Sequence, residues 1–188
     1  MLGDTMGHAL KTAIFKIVGE ADNYKNADAV EKVIKYVLKR EKRREQDLWG
    51  SMGTINKSEE GIMADFHKIK RLYEKEDGLQ VKHLMLSWGQ KPDLPRKKMR
   101  KLIRRTLSFW GMEYQVVYAV HEDKMPDKYH MHIVLNSVSN TGKKIQITGK
   151  KLRKFRRKFN NIWNPYGYML DMYNSSGTVE DKSYECDQ

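Results

Sequence analysis

The sequence predicts an α/β fold, a sandwich on a central, mostly antiparallel sheet of about five strands flanked by helices. Three observations carry this. Stretches rich in Val, Ile and Tyr with alternating side chains are interleaved with stretches whose apolar residues recur at helical spacing, in the order β α α β α β β (β) α. The strand-like segments Glu113–Val120 and His130–Asn136 are separated by a polar loop, which makes them an antiparallel hairpin. Finally, 188 residues, 39% of them hydrophobic, suffice for one packed core.

The elements follow in order. Lys11–Val18 reads as a strand, and 19–26 as a polar loop containing Tyr24. Ala27–Arg44 reads as a helix, because Val30, Val33, Ile34, Val37 and Leu38 form one apolar face. Tyr36 falls on the flank of that face, so its ring can pack while its hydroxyl stays accessible. The stretch 47–57, with Trp49, Gly50 and Gly53, reads as a loop. Ser58–Glu76 is a second helix, capped by Ser58 and favoured by early acids. Val81–Trp88 is a strand with His83, Met85 and Ser87 on one face. Pro95–Trp110 is a helix with proline in its first turn, ended by Gly111. After the hairpin come a turn at 139–142, a short strand at 143–147, and a basic helix from Gly149 to Trp163. From Asp171 the chain turns polar and mildly acidic. The expected division is therefore a domain over 1–170 and a flexible tail over 171–188.

Composition narrows the function classes. The formal net charge of +12 points to a polyanionic partner. Nucleic acid is favoured over acidic lipid, because no amphipathic membrane helix accompanies a lipidation signal. No apolar run approaches a membrane span, and no signal-peptide pattern opens the sequence, so no membrane association is expected. The one cysteine, Cys186, permits no disulfide within the chain and fits a reducing cytoplasm.

The chemistry concentrates in His121–Asn136, HEDKMPDKYHMHIVLN. On a strand, His130, His132, Val134 and Asn136 share one face, while Met131, Ile133 and Leu135 share the apolar other. In an antiparallel hairpin His121 comes close to His130, so three imidazoles converge and can hold one divalent ion. Metal-bound imidazoles usually need a second partner, and Glu122 and Asp123 are the nearby carboxylates.

Three segments together resemble the nuclease domain of bacterial conjugative relaxases, of the P-type mobilisation class within the HUH endonucleases. VEKVIKYVLKREK resembles the first relaxase motif, whose helix presents a nucleophilic tyrosine; the match is Tyr36. HLMLSWGQKPDLP resembles the second, whose serine contacts DNA beside the nick; the match is Ser87. HEDKMPDKYHMHIVLNSVSNTGKK resembles the third, matching His121, Asp123, His130, His132 and Asn136, with a loop at Met125–Lys128 longer than the commonest form.

The resemblance implies an HUH-type sandwich and a divalent metal ion, Mg²⁺ or Mn²⁺, held by His121, His130 and His132. Tyr36 would attack the scissile phosphate and form a reversible 5′-phosphotyrosine link, with Asp123 assisting. Tyr24 is the reserve nucleophile. Ser87, Asn136, Lys39, Arg40, Arg43, Lys143 and Lys144 are the expected DNA contacts, and Trp49, Trp88, Tyr129 and Trp163 the candidate stacking rings. Implied partners are single-stranded DNA, an origin-of-transfer hairpin or duplex, accessory relaxosome proteins and a coupling protein, in conjugation or mobilisation and hence horizontal gene transfer. A rolling-circle replication initiator or transposase of the same chemistry is the nearest alternative, although such proteins often place the tyrosine after the paired histidines. A non-enzymatic basic DNA-binding module is the alternative from another class.

Overall fold

The computed structural model describes residues 9–19, 24–39, 48–122 and 129–173. Within them, one six-stranded sheet runs in the order β2-β4-β5-β3-β1-β6. Its strands are β1 (Lys11–Ile17), β2 (Trp49–Met52), β3 (Val81–Gly89), β4 (Tyr114–Glu122), β5 (Tyr129–Ser139) and β6 (Tyr168–Tyr173). All neighbours pair antiparallel except β1 and β6, which are parallel. The predicted mostly antiparallel α/β sandwich is what the chain adopts.

Helices cover both faces. α1 (Ala29–Leu38) and α2 (Glu59–Leu72) pack on one side; α3 (Arg96–Gly111) and α4 (Gly149–Trp163) pack on the other. The alternation of β5 decides which residue meets which layer. Met131, Ile133 and Leu135 join the core under α3 and α4, together with Leu102, Leu107, Phe155 and Phe159. Val134 joins Val117, Ala119 and the apolar stripes of α1 and α2 in the core of the opposite face. His130 and His132 therefore lie on the α1–α2 side. Because both faces are covered, β4 and β5 are buried over nearly their whole length.

Several boundaries differ from expectation. The stretch read as a loop at 47–57 contains edge strand β2, paired with β4 from Trp49↔Ala119 to Met52↔Val116. Its glycine and lack of alternation hid a strand defined by its partner. The strand expected at 143–147 reduces to one bridge, Val138↔Lys144. Conversely, Asp171–Tyr173, assigned to a tail, belong to β6, whose register with β1 runs from Lys11↔Tyr168 to Lys16↔Tyr173. α1 ends at Leu38 with Lys39 at ψ 118°, and 40–44, expected to continue it, lie outside the described residues. Gly142, at φ +78°, closes the turn after β5 against the ring of Tyr73. A Cβ there would lie 2.4 Å from a ring carbon.

Candidate active site

Strand register assembles the histidines. His121 on β4 sits directly opposite His130 on β5, and His132 sits between Ala119 of β4 and Met85 of β3. One nitrogen from each of His121, His130 and His132 lies within 4.8 Å of the others. Nε2 of His130 and Nε2 of His132 are 3.1 Å apart. Cis ligands on one ion, with bonds near 2.1 Å, stand roughly 3 Å apart, so the donor set fits a divalent cation.

Two of these rings have partners that the sequence did not single out. Nε2 of His121 lies 2.8 Å from the carbonyl of Val37. A carbonyl only accepts, so Nε2 carries the proton and Nδ1 is the lone-pair nitrogen. Val37 stands in the last turn of α1, whose terminal carbonyls lack intrahelical donors. The ring thus completes the helix while the helix orients the ring. Asp123, one of the two carboxylates expected near it, lies outside the described residues.

His132 is oriented by a residue absent from the sequence prediction. Its Nδ1 lies 2.8 Å from Nε2 of His83 on β3, and Nδ1 of His83 lies 3.1 Å from the hydroxyl of Tyr24. For His132 to present Nε2 as a metal ligand, its Nδ1 must hold the proton and donate to His83. His83 then carries its own proton on Nδ1 and donates it to the Tyr24 oxygen. Burial, with the nearby His121 charge as a second cause, lowers the His83 pKa to about 4, so it is neutral near pH 7. The available signal was the position of His83 on the same β3 face as Ser87, four residues away.

Tyr36 lies over this cluster. Its ring centroid is 5.5 Å from that of His132, 6.3 Å from His121 and 6.4 Å from His83, edge-on in each case. It is 44% exposed, although it neighbours buried Val37. The reserve residue, Tyr24, has its hydroxyl against His83 and its pKa raised, first by burial and then by the charge of Tyr36.

The expected DNA contacts divide into groups. Ser87 pairs across the sheet with His130, and its Oγ accepts from the Gly89 N–H at 3.2 Å. Lys39 is exposed one turn beyond Tyr36. Arg40 and Arg43 lie outside the described residues. Asn136 does not reach the surface. It is 0% exposed and donates to the Phe66 carbonyl at 3.0 Å and to Gln115 Oε1 at 2.8 Å, so it is a strut between β5 and α2 rather than a DNA contact. Lys143 and Lys144 follow the far end of β5 from the histidines, and Lys144 Nζ donates to the carbonyls of Lys75 and Asp77 at 3.0 and 2.7 Å. Seven residues of strand separate His132 from Ser139, roughly 23 Å, so both lysines, which are exposed, lie away from the histidines. Trp88, Tyr129 and Trp163 are buried in the core and offer no stacking face; Trp49 is partly buried.

Comparisons with known proteins gave the following matches. A family model described as relaxase, MobA/VirD2-like, nuclease domain, matches residues 36–168. Two curated proteins called Protein rlx, both from Staphylococcus aureus, are 32% identical over 103 residues and 33% identical over 97. These alignments cover 54% and 51% of this chain but 32% and 29% of the relatives, so the matched region spans about a third of their length. A solved structure described as "Molecular Basis of Vancomycin Resistance Transfer in Staphylococcus aureus" aligns at 12% identity and a TM-score of 0.46, covering 73% of this chain and 76% of its own.

Proposed function

Because this chain belongs to the relaxase family of MobA/VirD2-like nuclease domains, we propose that it nicks and rejoins one strand of DNA at an origin of transfer, with Tyr36 as the nucleophile. The observation that carries this reading is the convergence of an exposed phenol, on the last full turn of α1, with three imidazoles that can share a cation.

His121, His130 and His132 would hold a divalent cation, Mg²⁺ or Mn²⁺. When bound, it supplies positive charge to the non-bridging oxygens of the scissile phosphate. The remaining chemistry belongs to the chain. The Tyr36 oxygen attacks phosphorus, the phosphorus–O3′ bond breaks, and a 5′-phosphotyrosine bond forms. The phenolic proton passes to a base, for which Asp123 is the candidate, and the departing 3′ oxygen takes up a proton. One phosphodiester replaces another, so little bond energy is lost and the reverse step rejoins the strand. Ser87, beside His130, faces the strand next to the nick. The position of Tyr36 before the paired histidines in the chain favours a relaxase over a rolling-circle initiator.

The test uses a single-stranded oligonucleotide carrying a cognate nick site, with Mn²⁺. Wild type is expected to form a covalent protein–DNA adduct, and Tyr36→Phe to lose it completely. His132→Ala is expected to lose cleavage along with metal affinity. An adduct that persists in Tyr36→Phe excludes this nucleophile. Full cleavage by His132→Ala removes the cation from the proposal.

A further inference from the structure

The positive charge of this protein sits on the side of the sheet away from the histidines. α3 and α4 carry seven Lys and Arg each and no acidic residue. That total exceeds the net charge of +12 of the whole chain, so the other residues together are not basic. Between the two helices lies an open groove of about 550 Å³. It is lined by Arg105 and Ser108 of α3 and by Lys154, Arg157, Lys158 and Asn161 of α4. Lys158 Nζ donates to Ser108 Oγ at 3.1 Å, which bridges the walls. The apolar sides of both helices enter the core with Met131, Ile133 and Leu135, whereas His130 and His132 point to the other face. A strand held at Tyr36 cannot also lie in this groove without passing around the sheet.

The chemistry of the groove selects its occupant. Cations alone suffice for a phosphate backbone, whereas single-strand binding also uses aromatic rings on which bases stack. Trp110, Phe155, Phe159 and Trp163 of these helices are buried, Phe109 is partly buried against the core, and no aromatic residue lines the groove, so it has charge without stacking platforms. Nor does either helix expose a large hydrophobic side chain that could anchor it in lipid. We propose that the α3–α4 groove is a second nucleic-acid surface that grips the phosphate backbone of double-stranded DNA while the opposite face holds the strand to be cut. The proposal rests on the nuclease reading only for the identity of the polymer.

The experiment compares wild type with Arg105→Glu/Arg157→Glu and with the milder Arg105→Gln/Arg157→Gln. Fluorescence anisotropy is read against salt for a short labelled duplex without a nick site and for a single strand of equal length. Duplex affinity is expected to fall at least about 10-fold in the Glu variant, with the slope of log K against log salt reduced by about 2. Single-strand affinity and adduct formation are expected to change less than about 2-fold, and the Gln variant should show a smaller loss in the same direction. Unchanged duplex binding overturns the proposal. So does an equal loss for both polymers, which would reflect net charge alone. Loss of binding to anionic phosphatidylserine vesicles with duplex binding intact would make the surface a lipid one and also overturn it. The binding measurements need no cleavage, so a loss confined to duplex supports the groove even if no strand is cut.

Discussion

At the scale of single residues, the candidate site depends on which ring nitrogen carries each proton. The Val37 carbonyl fixes His121 in one tautomer, and the Tyr24–His83 pair can fix His132 in the tautomer that presents Nε2. Removing an outer partner of a metal-bound histidine typically weakens the metal roughly 10–100-fold. His83→Phe, which keeps the ring volume but not the acceptor, is expected to weaken Mn²⁺ binding within that range in calorimetry. Tyr24→Phe should have a smaller effect and leave the covalent adduct intact, in contrast to Tyr36→Phe. Mn²⁺ affinity unchanged in His83→Phe would mean that His132 is oriented without it. The sequence showed the three candidate ligands because they crowd into twelve residues, whereas His83 lies thirty-eight residues upstream of the first of them. Its role appears only when β3 pairs with β5.

At the scale of elements, α1 and α2 form the layer that holds Tyr36 over the sheet. His67 of α2 joins them by a 2.7 Å contact to Glu31 of α1. Beside it, Lys70 of α2 is 0% exposed and its Nζ has no hydrogen-bond partner. Burial and then the charge of Lys144 lower its pKa to about 8, against smaller opposing effects of Glu31 and Glu76. The folded state therefore binds this proton less tightly than the unfolded chain, whose lysine titrates near 10.5. The penalty is fully present below about pH 8 and is relieved as pH rises towards 10.5, so this group makes stability increase with pH in that window. Lys70→Met is expected to stabilise the protein at pH 7 by on the order of 3 kcal/mol, with the advantage shrinking above pH 8. Urea unfolding at pH 7 and pH 10 checks both sign and window; a destabilised variant at pH 7 would show that the amine is needed where it is. The buried face of α2 was legible from its spacing, but a lysine within it was not. Only the packed layer shows that its amine cannot reach water.

At the scale of the whole molecule, the first and last described strands close the sheet together. β6 lies parallel to β1, and Lys11 donates its N–H to the Gly167 carbonyl at 2.8 Å. Tyr168 and Leu170 are buried against α4 and the core. Ending the chain after Gly167 is expected to cost about 3–6 kcal/mol from those two side chains alone, and to uncover β1 as an edge prone to association. Ending it after Tyr173 leaves β6 in place and should shift the unfolding midpoint little. Thermal unfolding and size-exclusion chromatography of both truncations decide the matter, and a stable monomer ending at Gly167 would assign β6 no part in stability. No helix among the described residues is long and apolar enough to cross a membrane.

What the sequence determined by itself was local: the periods that make four helices and four of the six strands, the alternation that puts His130 and His132 on one face, and the motif that links them to Tyr36. Periodicity reports how a segment presents its side chains, so such features survive without partners. Tertiary structure alone decided the rest. It recruited β2 and β6, which are strands only because β4 and β1 supply their hydrogen bonds. It buried Asn136, placed Lys143 and Lys144 far from the histidines, set His83 behind His132, and turned the basic helices α3 and α4 away from the histidines. Each of these depends on which residues distant in the chain become neighbours, and that is fixed by sheet order and by which apolar face packs against which.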